Sequence, residues 1–87
     1  MNKSMRRNYD KKALSLLVRS NIRKYRLMRN HTMQELADKA DFTHQYVRDL
    51  ESLGVDKTPT LEALGKFAMA LEIDIRQLFD DITTEDK

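Results

Sequence analysis

An 87-residue chain with 40% hydrophobic and 34% charged residues, one proline, two glycines and no cysteine has room for one small domain, and its composition suits helices over sheets. The lack of cysteine excludes disulfides and thiolate metal sites and suits a reducing cytoplasm, and no apolar run reaches the roughly 20 residues that a membrane span needs. The net charge of +2 is unevenly spread: residues 1–31 carry ten basic side chains and one acid, while residues 32–87 carry six and thirteen, so the first third suits a polyanion, nucleic acid before membrane.

In chain order, the opening MNKSMRRNYDKK lacks apolar periodicity, and residues 1–11 read as a flexible basic arm with no signal-peptide core behind it. From Lys12 onward, Leu14, Leu17, Val18, Ile22, Tyr25 and Met28 recur on one face of a long helix, expected to end near Asn30-His31. Thr32 with Glu35 is a capping box that opens a second helix, whose inner face holds Leu36, Ala37 and Ala40. The run breaks at Asp41-Phe42, and Thr43 caps a third helix with Val47, Leu50 and Glu51. SLGVDKTP, with Gly54 and Pro59, is the clear loop. Thr60 caps a fourth helix bearing Leu61, Leu64, Phe67, Ala68 and Leu71, and Asp74 with Gln77 opens a short fifth around Ile75, Leu78 and Phe79. Met28 and Met69 lie on apolar faces and are expected in the core. Residues 12–82 are therefore expected to form one compact all-α domain of five helices, followed by a polar tail, 83–87. Its second and third helices, about two turns each and closely joined, have the helix-turn-helix arrangement.

The stretch TMQELADKADFTHQYVRDLE, followed by TPTLEALGKFAMALEIDIRQLF, resembles the phage-repressor and Cro-like helix-turn-helix domains, the XRE family, from about Ile22 to Phe79. Leu36-Ala37 falls where that family has Leu-Ala, and Phe42 takes its apolar turn position. Val47 and Leu50 take core positions of its third helix, Glu51 its glutamate, and Pro59, Leu61 and Leu64 follow as its fourth helix does. Four features depart from the pattern. Asp41 replaces the usual turn glycine, Met33 a glutamine that helps hold the DNA backbone, and His31 an apolar residue; the loop between Glu51 and Pro59 is longer. The resemblance implies a lambda-repressor-like fold and an ion pair between Arg26 and Glu51.

It also implies a double-stranded DNA partner, with the third helix in a major groove. Carried over by position, the base-reading residues are Thr43, His44, Gln45, Arg48 and Asp49. Glutamine can bridge adenine N6 and N7, arginine can pair with guanine, and threonine can touch a thymine methyl. Two roles stay open for Asp49: accepting from a cytosine amino group, or pairing with a nearby cation. Backbone contacts fall to Thr32 at the start of the second helix, to Lys39, to Tyr46 at the edge of the contact, and to Lys57, Thr58 and Thr60 in the loop. The positive charge of the first helix has a rival use, balancing the acidic second part. The polar face of the third helix has one too, as a merely solvated surface.

A homodimer is expected, formed through Ile75, Leu78, Phe79 and Ile82 and placing two third helices about 34 Å apart on a partly palindromic site. Leu78 could instead pack in the domain's own core. His31 and His44 make no metal pattern. No cofactor or enzymatic activity is expected. The functional expectation is a sequence-specific transcriptional regulator, a repressor in the first instance. The alternative is a protein-interaction module, such as an antitoxin, that keeps the fold without reading DNA.

Overall fold

Asp10 accepts the Ala13 amide at 2.9 Å and opens the first helix, α1 (Lys11–Met28). The computed structural model describes residues 9–81. Most of the basic arm, Ile82 and the tail 83–87 lie outside the described residues. α1 stops at Arg29, and Asn30 adopts a left-handed backbone with φ of 60°. In α2 (Met33–Ala40), Thr32 accepts the Glu35 amide while the Glu35 carboxylate accepts the Thr32 amide, a reciprocal cap.

Asp41 then takes φ 63° and ψ 47°, and the Phe42 amide reaches back to the Ala37 carbonyl at 2.9 Å. This left-handed corner lets α3 (His44–Glu51) leave α2 after only three residues, with Thr43 as its cap. Thr60 caps α4 (Leu61–Leu71), which ends at Glu72, again left-handed with φ 59°. The expected fifth helix is corrected: Ile75–Phe79 is a five-residue 3-10 helix, so the described residues hold four α-helices and one 3-10 turn. A segment this short, entered from an Asp74–Gln77 capping box, closes the tighter i to i+3 bonds more readily than the i to i+4 bonds of an α-helix.

The core draws on every element. Val18, Ile22 and Tyr25 of α1 meet Leu36, Ala37 and Ala40 of α2, Val47 and Leu50 of α3, and Leu64, Phe67 and Leu71 of α4. Ala37 is wholly buried, and a larger side chain there would meet close-packed neighbours. Two expected core residues lie outside: Met28 is 65% exposed and Met69 80%. In α1 the buried stripe continues from Tyr25 to Arg26, leaving Met28 off its edge. Met69 follows the buried Phe67 by two residues, roughly 200° around a helix, and so faces away.

Polar side chains of α1 pin the distant segments to it. Arg19 is 3% exposed and donates to five backbone carbonyls, those of Asp49, Leu50, Ser52, Val55 and Lys57. It thereby gathers the end of α3 and the loop after it around one guanidinium. Asn21 Nδ2 donates to the carbonyls of Leu78 and Asp80, and the Tyr25 hydroxyl donates to Asp80 Oδ2 at 2.7 Å. Those bonds draw the 3-10 helix onto α1 and turn Leu78 inward, where it is fully buried. Leu78 is thus corrected from dimer face to core. Ile75 and Phe79, 41% and 44% exposed, stay on the surface.

Candidate nucleic-acid interface

Val47 and Leu50 anchor α3 in the core, and helical rotation then forces Gln45 and Arg48 outward, with Asp49 half-exposed beside them. Thr43 is exposed at the helix start and His44 half-buried next to it. The outward side chains thus occupy one side of two helical turns, with Thr43 at its leading end. Burial of the opposite side holds that face rigidly against the domain.

Arg26 governs the far end of α3. Its Nε and Nη2 donate to Glu51 Oε2 and Oε1 at 2.6 and 2.8 Å, and Nη1 donates to the His31 carbonyl at 2.7 Å. Both side chains are nearly inaccessible, 8% and 2% exposed, so the pair ties α1 and the turn before α2 to the last residue of α3. Hydrogen bonding to Glu51 raises the Arg26 pKa above its ordinary value, against the opposing effect of burial. Arg23 lies on the outer side of the same carboxylate, 3.7 Å from Glu51 Oε1.

Tyr46 is held at the flank. Its ring lies 4.6 Å from that of Phe42, which in turn stacks 4.9 Å from Phe67, so an aromatic row runs from α3 into the core. Burial raises the Tyr46 pKa and keeps the phenol neutral and able to donate. Asp41, Phe42, Thr43, Tyr46, Thr60 and Ala63 line one open depression, which brings Thr43, Tyr46 and Thr60 together.

Three threonines at helix starts share a chemistry. Thr32, Thr43 and Thr60 each accept a main-chain amide through Oγ1 at 3.0 Å, from Glu35, Tyr46 and Ala63. Each keeps its hydroxyl proton for an outside acceptor such as a phosphate oxygen. The amide of Thr32 is already committed to Glu35, so its hydroxyl is the group left for a backbone contact at the start of α2. Lys39 and Thr58 are exposed. Lys57 sits 3.7 Å from Asp49 and 5.1 Å above the Tyr46 ring, beside α3. Sequence reasoning did not single out Arg19, whose buried guanidinium gathers the end of α3 and the loop beside this face. Its signal was its register: Ser15, Arg19, Ile22 and Arg26 recur every three or four residues, inside the buried stripe.

A family model described as helix-turn-helix matches residues 22–78. The chain belongs to this helix-turn-helix family. The matched segment runs from the middle of α1 to the 3-10 helix and so contains the α2–α3 pair with its left-handed corner at Asp41. Among solved structures, the helix-turn-helix chain is similar to the clp gene regulator ClgR from C. glutamicum, with a TM-score of 0.68 and 23% identity over 75% of this chain and 82% of that one. At that identity the likeness is one of fold. No curated protein matches the sequence. Among the described residues, no helix is long and apolar enough to cross a membrane.

Proposed function

We propose that this helix-turn-helix protein is a sequence-specific DNA-binding transcriptional regulator that acts as a repressor, binding as a homodimer and excluding polymerase from a promoter. The observation that carries the reading is the outward face of α3, where Thr43, Gln45 and Arg48 stand exposed on a helix whose other side is locked into the core. These side chains are suited to base edges, with His44 and Asp49 at their margin. Tyr46, Lys57 and Thr60 stand beside the face, and together with exposed Thr32, Lys39 and Thr58 they supply donors or positive charge for the DNA backbone. Of the expected dimer face, Ile75 and Phe79 are the described residues that stay on the surface for a second copy. The similar ClgR is a clp gene regulator, which agrees with this reading.

Selection of bound duplexes from a random DNA library at near-physiological salt tests it. A motif of two related half-sites, with centres about one helical turn apart, is the expected result. Folded protein that recovers no motif would remove the DNA-reading assignment. A second reading, a protein-interaction module, is favoured by one observation: Leu61 and Met69 on α4 are 83% and 80% exposed. Capture of a protein partner, lost on Leu61→Ser and Met69→Ser together, would support it.

A further inference from the structure

Between α3 and the loop that follows it, four side chains form a run of contacts that base reading by itself does not require. Gln45 Nε2 donates to Asp49 Oδ1 at 2.8 Å, one helical turn further on. The other carboxylate oxygen, Oδ2, lies 3.7 Å from Lys57 Nζ, and that ammonium stands over the Tyr46 ring. Lys57 is held from behind, because its carbonyl accepts from Ser15 Oγ and Arg19 Nη1, both at 2.9 Å. The side chains of Asp49 and Lys57 are only 27% and 33% exposed, whereas Gln45 is exposed. The carboxylate therefore sits behind the amide it holds.

Resting on the DNA-reading assignment, the geometry points to Asp49 as a specificity-determining positioning residue that sets the Gln45 amide for adenine and takes no base of its own. A carboxylate only accepts hydrogen bonds, so it can face only the NH2 end of Gln45. The second N–H and Oε1 then stand together on the outer side, a donor beside an acceptor. That pair complements adenine N7 and the adenine N6 amino group. The reversed amide would place Oε1 against the carboxylate, two acceptors in contact, and would present two donors outward, the pattern that suits guanine N7 and O6. Asp49 thus converts an amide of ambiguous preference into one with a fixed preference. Fixing it before binding also lowers the ordering cost on contact. Lys57 offsets the charge that Asp49 would otherwise place next to phosphates.

Base preference is mapped by binding selection with the full chain and with Gln45→Ala, Asp49→Ala, Asp49→Asn and the Gln45→Ala/Asp49→Ala double variant. Circular dichroism establishes that each is folded. Gln45→Ala and Asp49→Ala are expected to lose discrimination at one and the same base pair, by about 5- to 100-fold for Gln45→Ala, with the double variant no worse than Gln45→Ala. Asp49→Asn, which can donate to Oε1 and so accept the reversed amide, is expected to admit guanine beside adenine at that position. Loss of discrimination at a different base pair would make Asp49 a reader in its own right and overturn the proposal. An unchanged preference with an even shift in affinity over all duplexes would overturn it too, leaving Asp49 a purely electrostatic role. A wild-type protein that selects no motif would remove the DNA-reading assignment itself, and this proposal with it.

Discussion

The guanidinium of Arg19 lies almost out of reach of water and places its donors on carbonyls from Asp49 to Lys57, a segment with no helical partners for most of its backbone oxygens. Arg19→Met keeps the apolar stem and removes every donor. It is expected to destabilise the fold by about 3–5 kcal/mol in urea unfolding, since buried acceptors lose a charged partner. A cost below about 1 kcal/mol would mean that water replaces the guanidinium. At Glu51, two buried charges face each other with bidentate geometry. Glu51→Gln leaves Arg26 buried against a neutral group and should cost a comparable amount, more than a surface ion pair would. On the proposed reading face, Gln45→Ala or Arg48→Ala should cost about 1–3 kcal/mol on the preferred duplex alone, whereas Lys57→Ala should weaken every duplex by a similar factor.

At the scale of elements, the joints decide how the helices meet. Glu72 ends α4 in a left-handed conformation that carries a steric cost for a side chain with a Cβ. Its carbonyl accepts from Arg29 Nη2, a bond that a glycine retains. Glu72→Gly is therefore expected to raise stability by about 1 kcal/mol, read as a higher urea midpoint at unchanged slope. Asp41→Gly should gain less, because aspartate tolerates this backbone better and Asp41 stands 4.0 Å from Lys66. Thr32→Ala removes the Oγ1 half of the α2 capping box and is expected to lower stability by about 1 kcal/mol. These boundaries were legible in the residues. Thr32 with Glu35, Thr43, Thr60, and Asp74 with Gln77 each mark a helix start through bonds to residues only two or three positions away. The fifth element's start was legible in the same way, but its 3-10 form was not.

For the molecule as a whole, the chain's late segment is closed onto α1 by a bond that titrates. Burial, with Asp80 beside it, raises the Tyr25 pKa above its ordinary value of 10.0. The neutral phenol is the form that the fold favours. Its contribution to stability is fully present below pH 10 and is lost as pH rises through the raised folded value. Thermal unfolding between pH 9 and 12 should show this loss, and Tyr25→Phe should be less stable at neutral pH but flatter across that range. At the acid end, the Arg76 guanidinium holds exposed Asp74 down at about 2. Its contribution is present above the ordinary 3.8 and fades as pH falls toward that lowered value. DNA binding should fall steeply with added salt, as phosphate contacts release counterions.

What the sequence determined by itself is what short range decides. Threonine caps act within one turn, and Val47 with Leu50 define an inner face of α3 through 3.6-residue rotation alone. The left-handed corner at Asp41 permits the sharp turn between α2 and α3. Only the tertiary structure decided that Arg19 is buried, that Leu78 points inward, and that Met28 and Met69 point out. It also decided that Lys57 stands beside Asp49. The bonds that hold Arg19 and Leu78 in place join residues 30 to 57 positions apart. Spacing along the chain reports which side chains share a helix face, but a face becomes interior or surface only when another segment covers it or leaves it open.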